Sequence, residues 1–225
     1  MINNGGNLIV NRYALYNKLP PNVILQLGDK MCNEYNQDTM VLTVPPNIAI
    51  KVLEESEDIF IRHCPCRLET GNCKQNDTEI CLLFENASEE ALKNAKLVSK
   101  TQALTKLEEA RNRGDITHIF YKKDDKKITE ICSCCDCCCS ILRKMKMNGF
   151  ENFKQSGYIV DTEPEKCTLC SECVDICFFG ARSIEHEKLI LNENLCFGCE
   201  RCITYCKFDA IKSLTLNGIR IPEDL

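Results

Sequence analysis

Two cysteine-rich segments decide the fold of this 225-residue chain: CTLCSECVDIC at residues 167–177 and CFGCERCITYC at residues 196–206. Both have the spacing C-x2-C-x2-C-x3-C, and the second begins 29 residues after the first. The two copies also share a phenylalanine and an alanine at equivalent positions just beyond the fourth cysteine. This self-similarity indicates an internal repeat with a pseudo-two-fold axis.

The spacing within each copy favours an iron–sulfur cluster over the other roles of cysteine. Three thiolates on one tight loop can bind three irons of one cluster, while the fourth, which begins a short helix, points toward the cluster of the other copy. A four-cysteine zinc site usually consists of two C-x2-C pairs, which these triplets with a separate fourth cysteine do not match. We therefore expect two clusters that exchange one ligand between the copies.

Residues 157–214, about a quarter of the chain, resemble the bacterial two-[4Fe–4S] ferredoxin domain. The resemblance implies two ligand sets, one of Cys167, Cys170, Cys173 and Cys206, and one of Cys196, Cys199, Cys202 and Cys177. Ferredoxins usually have a proline after each fourth cysteine, whereas this chain has Phe178 and Lys207 there. This departure bears on loop rigidity and reduction potential rather than on ligation.

The whole composition supports metal ligation rather than disulfides. The chain has 19 cysteines, an odd number. The first apolar stretch, residues 8–10, is too short for a secretory signal. The longest uncharged run, residues 39–50, contains two prolines and is too short to span a bilayer. We therefore expect a cytoplasmic protein without a membrane span, in a compartment where disulfides are rare.

Charge and motifs exclude two other function classes. The 28 Lys and Arg against 33 Asp and Glu give a net charge of −5, and no run of basic residues is longer than two. Electrostatic binding of nucleic-acid phosphates is therefore not indicated. The chain has no G-x-G-x-x-G and no G-x4-G-K-[ST] segment, so no dinucleotide or nucleotide site is predicted. Two oxidised clusters of about −2 each would bring the net charge to about −9.

Ten more cysteines precede the repeat, in two groups. The first has the spacing C-x-C-x6-C-x7-C and the second places six cysteines in eight residues; the ten are Cys64, Cys66, Cys73 and Cys81, then Cys132, Cys134, Cys135, Cys137, Cys138 and Cys139. Thiols packed so densely without metal would be prone to oxidation. We predict that they bind metal, with one or two further iron–sulfur clusters. The alternative, favoured for the isolated Cys32, is that some are apolar filler or unliganded thiols.

This N-terminal pattern, over residues 20–143, resembles the N-terminal part of ferredoxin-domain iron–sulfur proteins of anaerobic bacteria and archaea. The resemblance implies no particular activity. Iron–sulfur is preferred to zinc here because the cluster repeat lies only 28 residues beyond Cys139.

The predicted fold class is α+β. Residues 1–155 are expected to form a mixed α/β Cys-rich domain, and residues 156–225 a small pseudo-two-fold ferredoxin-like domain. The first would contain a helix over 22–32, strand, helix and strand over 40–61, helices following Ser88 and Thr101, and a hairpin over 116–131. That hairpin could bring the second cysteine group against the first. The ferredoxin part would contain strands at 158–160, 183–185 and 189–191, and a closing hairpin turning at Asn217-Gly218.

These features predict an electron-transfer protein that passes single low-potential electrons between redox partner proteins. No catalytic residue is predicted, and a non-catalytic carrier or the electron-transfer subunit of an oxidoreductase is favoured over an enzyme. Two alternatives stay open: an iron–sulfur enzyme or reductive activator whose N-terminal cluster binds substrate, and a redox or iron sensor.

Overall fold

The computed structural model of the chain describes residues 39–71, 73–150, 153 and 155–215. The predicted helix over 22–32, Cys32 and the predicted turn at Asn217-Gly218 lie outside these ranges. Among the helices within them, none has the length and apolar character needed to cross a bilayer.

The N-terminal part is built on a six-stranded antiparallel sheet with the strand order β1-β5-β6-β3-β2-β4. Its strands are β1 (Thr39–Thr43), β2 (Ile59–His63), β3 (Glu79–Phe84), β4 (Ala95–Val98), β5 (Ile116–Lys122) and β6 (Ile128–Cys134). Its helices are α1 (Pro46–Glu55), α2 (Pro65–Thr70), α3 (Glu89–Lys93), α4 (Lys100–Asn112) and α5 (Ser140–Asn148).

Local sequence signals set the two helices that cover one face of this sheet. α1 begins at Pro46, where the missing N–H of proline costs nothing. α4 begins with a capping box, in which Ser99 and Gln102 each satisfy a backbone N–H of the other. Leu53 of α1 and Leu107 of α4 pack onto alternate strand residues in the largest apolar core of the described chain. The predicted strand, helix, strand order and the hairpin are thereby confirmed.

One helix prediction was wrong in its extent. The apolar spacing after Ser88 suggested a helix reaching Leu97, but α3 ends at Lys93 and residues 95–98 form β4. Leu97 pairs with Phe60 of β2 at the edge of the sheet and is 63% exposed. Backbone pairing with an otherwise open strand edge overrides the weak helical propensity of this short segment.

The C-terminal part consists of two small antiparallel strand pairs around the cysteine repeat. β7 (Tyr158–Thr162) pairs with β10 (Ile211–Thr215), and β8 (Arg182–Glu185) pairs with β9 (Lys188–Leu191). Each copy of the repeat carries one short helix, α6 (Glu172–Asp175) or α7 (Arg201–Tyr205). The α+β class is confirmed.

Packing is continuous across the predicted boundary near residue 155. Phe150 makes edge contacts with Phe179 and Phe197 of the repeat, and those two rings stack with centroids 4.5 Å apart. The Tyr205 ring lies against Gly114, where an added Cβ would be only 2.6 Å from the ring. The two parts of the chain therefore share an interior.

A buried ion pair ties the loop of the first cysteine group to the sheet. The Arg67 guanidinium lies 3.0 Å from the Asp115 carboxylate, and both side chains are 1% exposed. The same guanidinium donates to the carbonyls of Asp77 and Ser133. Asp115 also accepts from Arg113 at 3.3 Å, but it is the carboxylate that faces the Arg67 charge, so its loss leaves a buried cation with carbonyl partners alone.

Asp115→Ala should therefore destabilise the protein by about 3–5 kcal/mol, which lowers the thermal unfolding midpoint by about 10 °C for a chain of this size. The matched control is Lys96→Ala, which breaks the surface pair with Glu79 at 2.7 Å and should cost at most about 1 kcal/mol. Anaerobic thermal unfolding measures both. Equal midpoints for the two variants would contradict the role assigned to the buried pair.

Candidate metal centres

The eight cysteines of the repeat line two cavities, and each cavity takes one cysteine from the other copy. The first is lined by Cys167, Cys170, Cys173 and Cys206. The second is lined by Cys177, Cys196, Cys199 and Cys202. Each cavity thus presents four thiols and largely apolar walls, which is the donor set that a four-thiolate iron–sulfur cluster requires.

The loops around these cavities wrap in the same way because left-handed backbone recurs at equivalent positions. Positive φ angles occur at Leu169 (56°) and at Gly198 (62°), its equivalent 29 residues later. They occur again at Ser171 (65°) and Glu200 (59°), each immediately before its short helix. Non-glycine residues rarely adopt this conformation, so its recurrence marks both loops as specialised for a bound group.

Backbone and side-chain donors point at the cavity sulfurs. The Ala181 N–H lies 3.3 Å from Cys177 Sγ, and the equivalent Ala210 N–H lies 3.4 Å from Cys206 Sγ. The buried Arg182 guanidinium lies 3.9 Å from Cys173 Sγ. Hydrogen bonds to sulfur stabilise thiolate charge and tune the potential of a bound cluster.

The second cavity is more buried than the first. Burial raises the pKa of Cys202 to about 12 and also raises that of Cys199. Such thiols ionise only when a cation takes the place of the proton. Cys170 of the first cavity is exposed, and its neighbour Phe208 is 46% exposed.

The aromatic residues of the repeat, which the sequence predicts as a cover that keeps water from the clusters, serve this role only in part. Phe178, Phe179 and Phe197 line the second cavity and pack with Phe150. Tyr205 instead packs on Gly114 and donates to the Arg113 carbonyl at 3.2 Å.

Six of the ten N-terminal cysteines form a second constellation, which we call the six-thiol ring. Each thiol interacts with two others, in the closed order Cys64, Cys66, Cys139, Cys134, Cys132 and Cys81. The two sequence groups therefore meet at one place, as the hairpin prediction anticipated.

Strand register explains how the ring closes. β3 and β6 pair with Leu82 opposite Ile131, and this register sets Cys81 across from Cys132, with their sulfurs 3.7 Å apart. Hydrogen bonding to Cys132 and burial raise the pKa of Cys81 well above its usual range. Without a cation, the buried side of the ring is therefore a set of neutral thiols.

Polar groups that no sequence signal indicated flank the ring. A His118 ring nitrogen lies within 4.8 Å of the Cys134 and Cys139 sulfurs. Its Nδ1 pairs with Thr43 at 3.1 Å, and its buried Nε2 has no partner in the part of the chain that the structure describes. Burial lowers the pKa of His118 to about 4, so the imidazole is neutral and can bind a metal or donate to sulfur.

Glu130 accepts a hydrogen bond from the Cys132 thiol at 3.0 Å and pairs with Arg62 at 3.1 Å. Arg62 and Arg67 flank the first two cysteines in sequence, which predicts hydrogen bonds from them to cluster sulfur or to a partner's carboxylates. The structure gives both of them carboxylates within the chain.

The other four N-terminal cysteines converge separately, in what we call the four-thiol site. Cys73, Cys135, Cys137 and Cys138 place their sulfurs within 4.8 Å of one another. The pairs from Cys73 to Cys135 and to Cys137 are 3.7 and 3.9 Å, and Cys137 lies 3.5 Å from Cys138. The adjacent cysteines of the block 132–139 are thus divided between two places.

Comparison with known proteins agrees with the geometry of the repeat. The 4Fe-4S binding domain family, Fer4, matches residues 160–183 and 189–212. The predicted pair of ferredoxin-type motifs is confirmed, and the two motifs imply two [4Fe–4S] clusters. No solved structure matches the chain at a significant level.

Three curated proteins are similar to part of the chain. The chain is 31% identical over 85 residues to hydrogenase-4 component A of Escherichia coli, which covers 36% of this chain and 42% of that protein. It is 40% identical over 65 residues to indolepyruvate oxidoreductase subunit IorA of Archaeoglobus fulgidus, and the match covers 28% of this chain and 10% of that protein. It is 31% identical over 64 residues to an archaeal-type glutamate synthase [NADPH] of Dehalococcoides mccartyi, and the match covers 27% of this chain and 13% of that protein.

The chain thus spans less than half the length of each of these relatives.

Proposed function

We propose that this protein is an iron–sulfur electron carrier that passes single electrons between a donor and an acceptor protein. The observation that carries the proposal is the pair of cavities in which four thiols converge, with one ligand exchanged between the copies. Clusters bound there accept and release single electrons without bond chemistry. The three relatives are named as a hydrogenase component, an indolepyruvate oxidoreductase subunit and a glutamate synthase, and these names support a redox role.

The six-thiol ring of the N-terminal part lies next to the second cavity and adds a third site to the two cavities. One apolar cluster joins Cys134 and Cys139 of the six-thiol ring to Cys177 and Cys199 of the second cavity. A second apolar cluster surrounds the two cavities and contains cysteines of both. The ring and the two cavities thus lie in series through packing that excludes water, which lowers the reorganisation that accompanies a change of charge. The ring holds one further iron–sulfur cluster.

The outer end of the series suits contact with a partner. Cys170 and the apolar Leu169 and Phe208 are exposed beside the first cavity. Since the chain carries −5 before any cluster is counted, a partner with a basic patch would be attracted to it. We propose a cytoplasmic location for this role, because thiols held 3.5–3.9 Å apart would oxidise in an oxidising compartment.

Removing two adjacent ring thiols tests the third cluster. We propose Cys64 and Cys66 as two of the four ligands of the ring cluster; Cys64→Ala with Cys66→Ala takes away these two half-buried thiols and leaves the repeat untouched. We expect anaerobically purified double variant to lose about four irons per chain and one EPR signal, while the two ferredoxin signals stay.

The control is Ser140→Ala, which removes the hydroxyl 3.2 Å from Cys66 Sγ but no thiol, and it should keep all its iron. An unchanged iron content in the double variant would contradict the binding of a cluster by the six-thiol ring.

The carrier role is tested by an EPR-monitored potentiometric titration of the anaerobic full-length protein. We expect reversible one-electron steps at low potential and no turnover of added small molecules. A small molecule that perturbs only the signal lost in the double variant would contradict the carrier role and indicate catalysis. Loss of that one cluster in air together with altered partner binding would instead indicate a sensor.

A further inference from the structure

The ten N-terminal cysteines do not form one kind of site. We propose that the four-thiol site, Cys73, Cys135, Cys137 and Cys138, binds a single zinc ion in tetrahedral coordination and not an iron–sulfur cluster. This assignment is independent of the electron-carrier role, because it concerns none of the thiols that line the two cavities or the six-thiol ring.

Sulfur–sulfur distances carry the assignment. Four sulfurs at 2.3 Å from one tetrahedral zinc are separated by about 3.8 Å. Three of the pairs here are 3.5, 3.7 and 3.9 Å, and all four sulfurs lie within 4.8 Å of one another. In a cubane each thiolate binds its own iron, so its sulfurs must stand farther apart than the edge of a single-ion tetrahedron.

The ferredoxin cavities supply an internal comparison. Their eight cysteines line two cavities. Yet the groups of three or more possible ligand atoms that lie within 4.8 Å of one another are all N-terminal, among the residues that could be searched. Only the four-thiol site combines four such atoms, and all four are sulfur. The thiols of the two ferredoxin cavities therefore form no such close group, whereas four sulfurs converge at this place.

Surrounding groups fit a dianionic zinc–thiolate centre. The Lys74 N–H donates to Cys137 sulfur, the Cys138 N–H to Cys135 sulfur, and the Thr70 hydroxyl interacts with Cys138. The buried Arg67 charge acts on Cys135 and Cys73. Four thiolates and one Zn²⁺ leave a charge of −2, which these donors and this cation offset.

The position of the site also suits a structural ion. Cys73 lies in an irregular loop between α2 and β3, while the other three cysteines follow β6. None of the four belongs to the apolar clusters found in the described chain, which include cysteines of the ring and of both cavities. A zinc ion here would fix the loop to the sheet without joining the electron path, since zinc has no redox chemistry.

Metal analysis of two variants separates the two kinds of site. Full-length protein purified anaerobically should contain about one zinc per chain in addition to its iron. Cys137→Ala should reduce zinc at least five-fold and leave iron and all EPR signals unchanged, whereas Cys64→Ala with Cys66→Ala should keep zinc. The zinc assignment is overturned if C137A loses iron, or if the wild-type protein contains iron and no zinc at this place.

A measurement on the unsubstituted protein guards against misfolding of the variant. Zinc K-edge absorption of the wild-type protein should show four sulfur neighbours at about 2.3 Å. Nitrogen or oxygen neighbours in place of sulfur would contradict the four-thiol assignment. Neither failure changes the iron held by the two ferredoxin cavities or the redox titration of the carrier, so the two proposals fail separately.

Discussion

A thiolate that leaves water for a packed interior loses several kcal/mol of solvation unless a cation or a set of donors replaces it. Eighteen cysteines lie in the described part of this chain, and seven of them are buried. Burial and neighbouring thiols raise the pKa of most of the buried ones. The rest of the structure follows from this constraint, because the chain must bring sulfurs together where metal can balance their charge.

Two different devices achieve this convergence. In the repeat, short loops with left-handed residues at equivalent positions turn three thiols inward, and the fourth reaches across to the other copy. In the N-terminal part, antiparallel register does the same work, since pairing of β3 with β6 sets Cys81 beside Cys132. The first device is local in sequence and the second is long-range.

That difference explains what could be predicted from sequence. Both ferredoxin motifs were predictable, and so was the lining of each cavity by cysteines of both copies, because these cysteines lie at fixed spacing on adjacent loops. The meeting of the two N-terminal cysteine groups was also anticipated, through the hairpin over 116–131. The division of these cysteines into a ring of six and a site of four was not predictable, because Cys134 and Cys135 are adjacent in sequence but belong to different sites. His118, Glu130 and Asp115 gave no signal, since each acts through a partner distant in sequence.

We infer that iron, bound through the clustered cysteine thiols, is a permanent constituent of this protein. Iron and acid-labile sulfide per chain, measured after purification without oxygen, test it most directly. The account predicts about twelve of each, eight for the repeat and about four for the six-thiol ring. A folded, colourless protein without iron, or one whose repeat is filled with zinc, would contradict it.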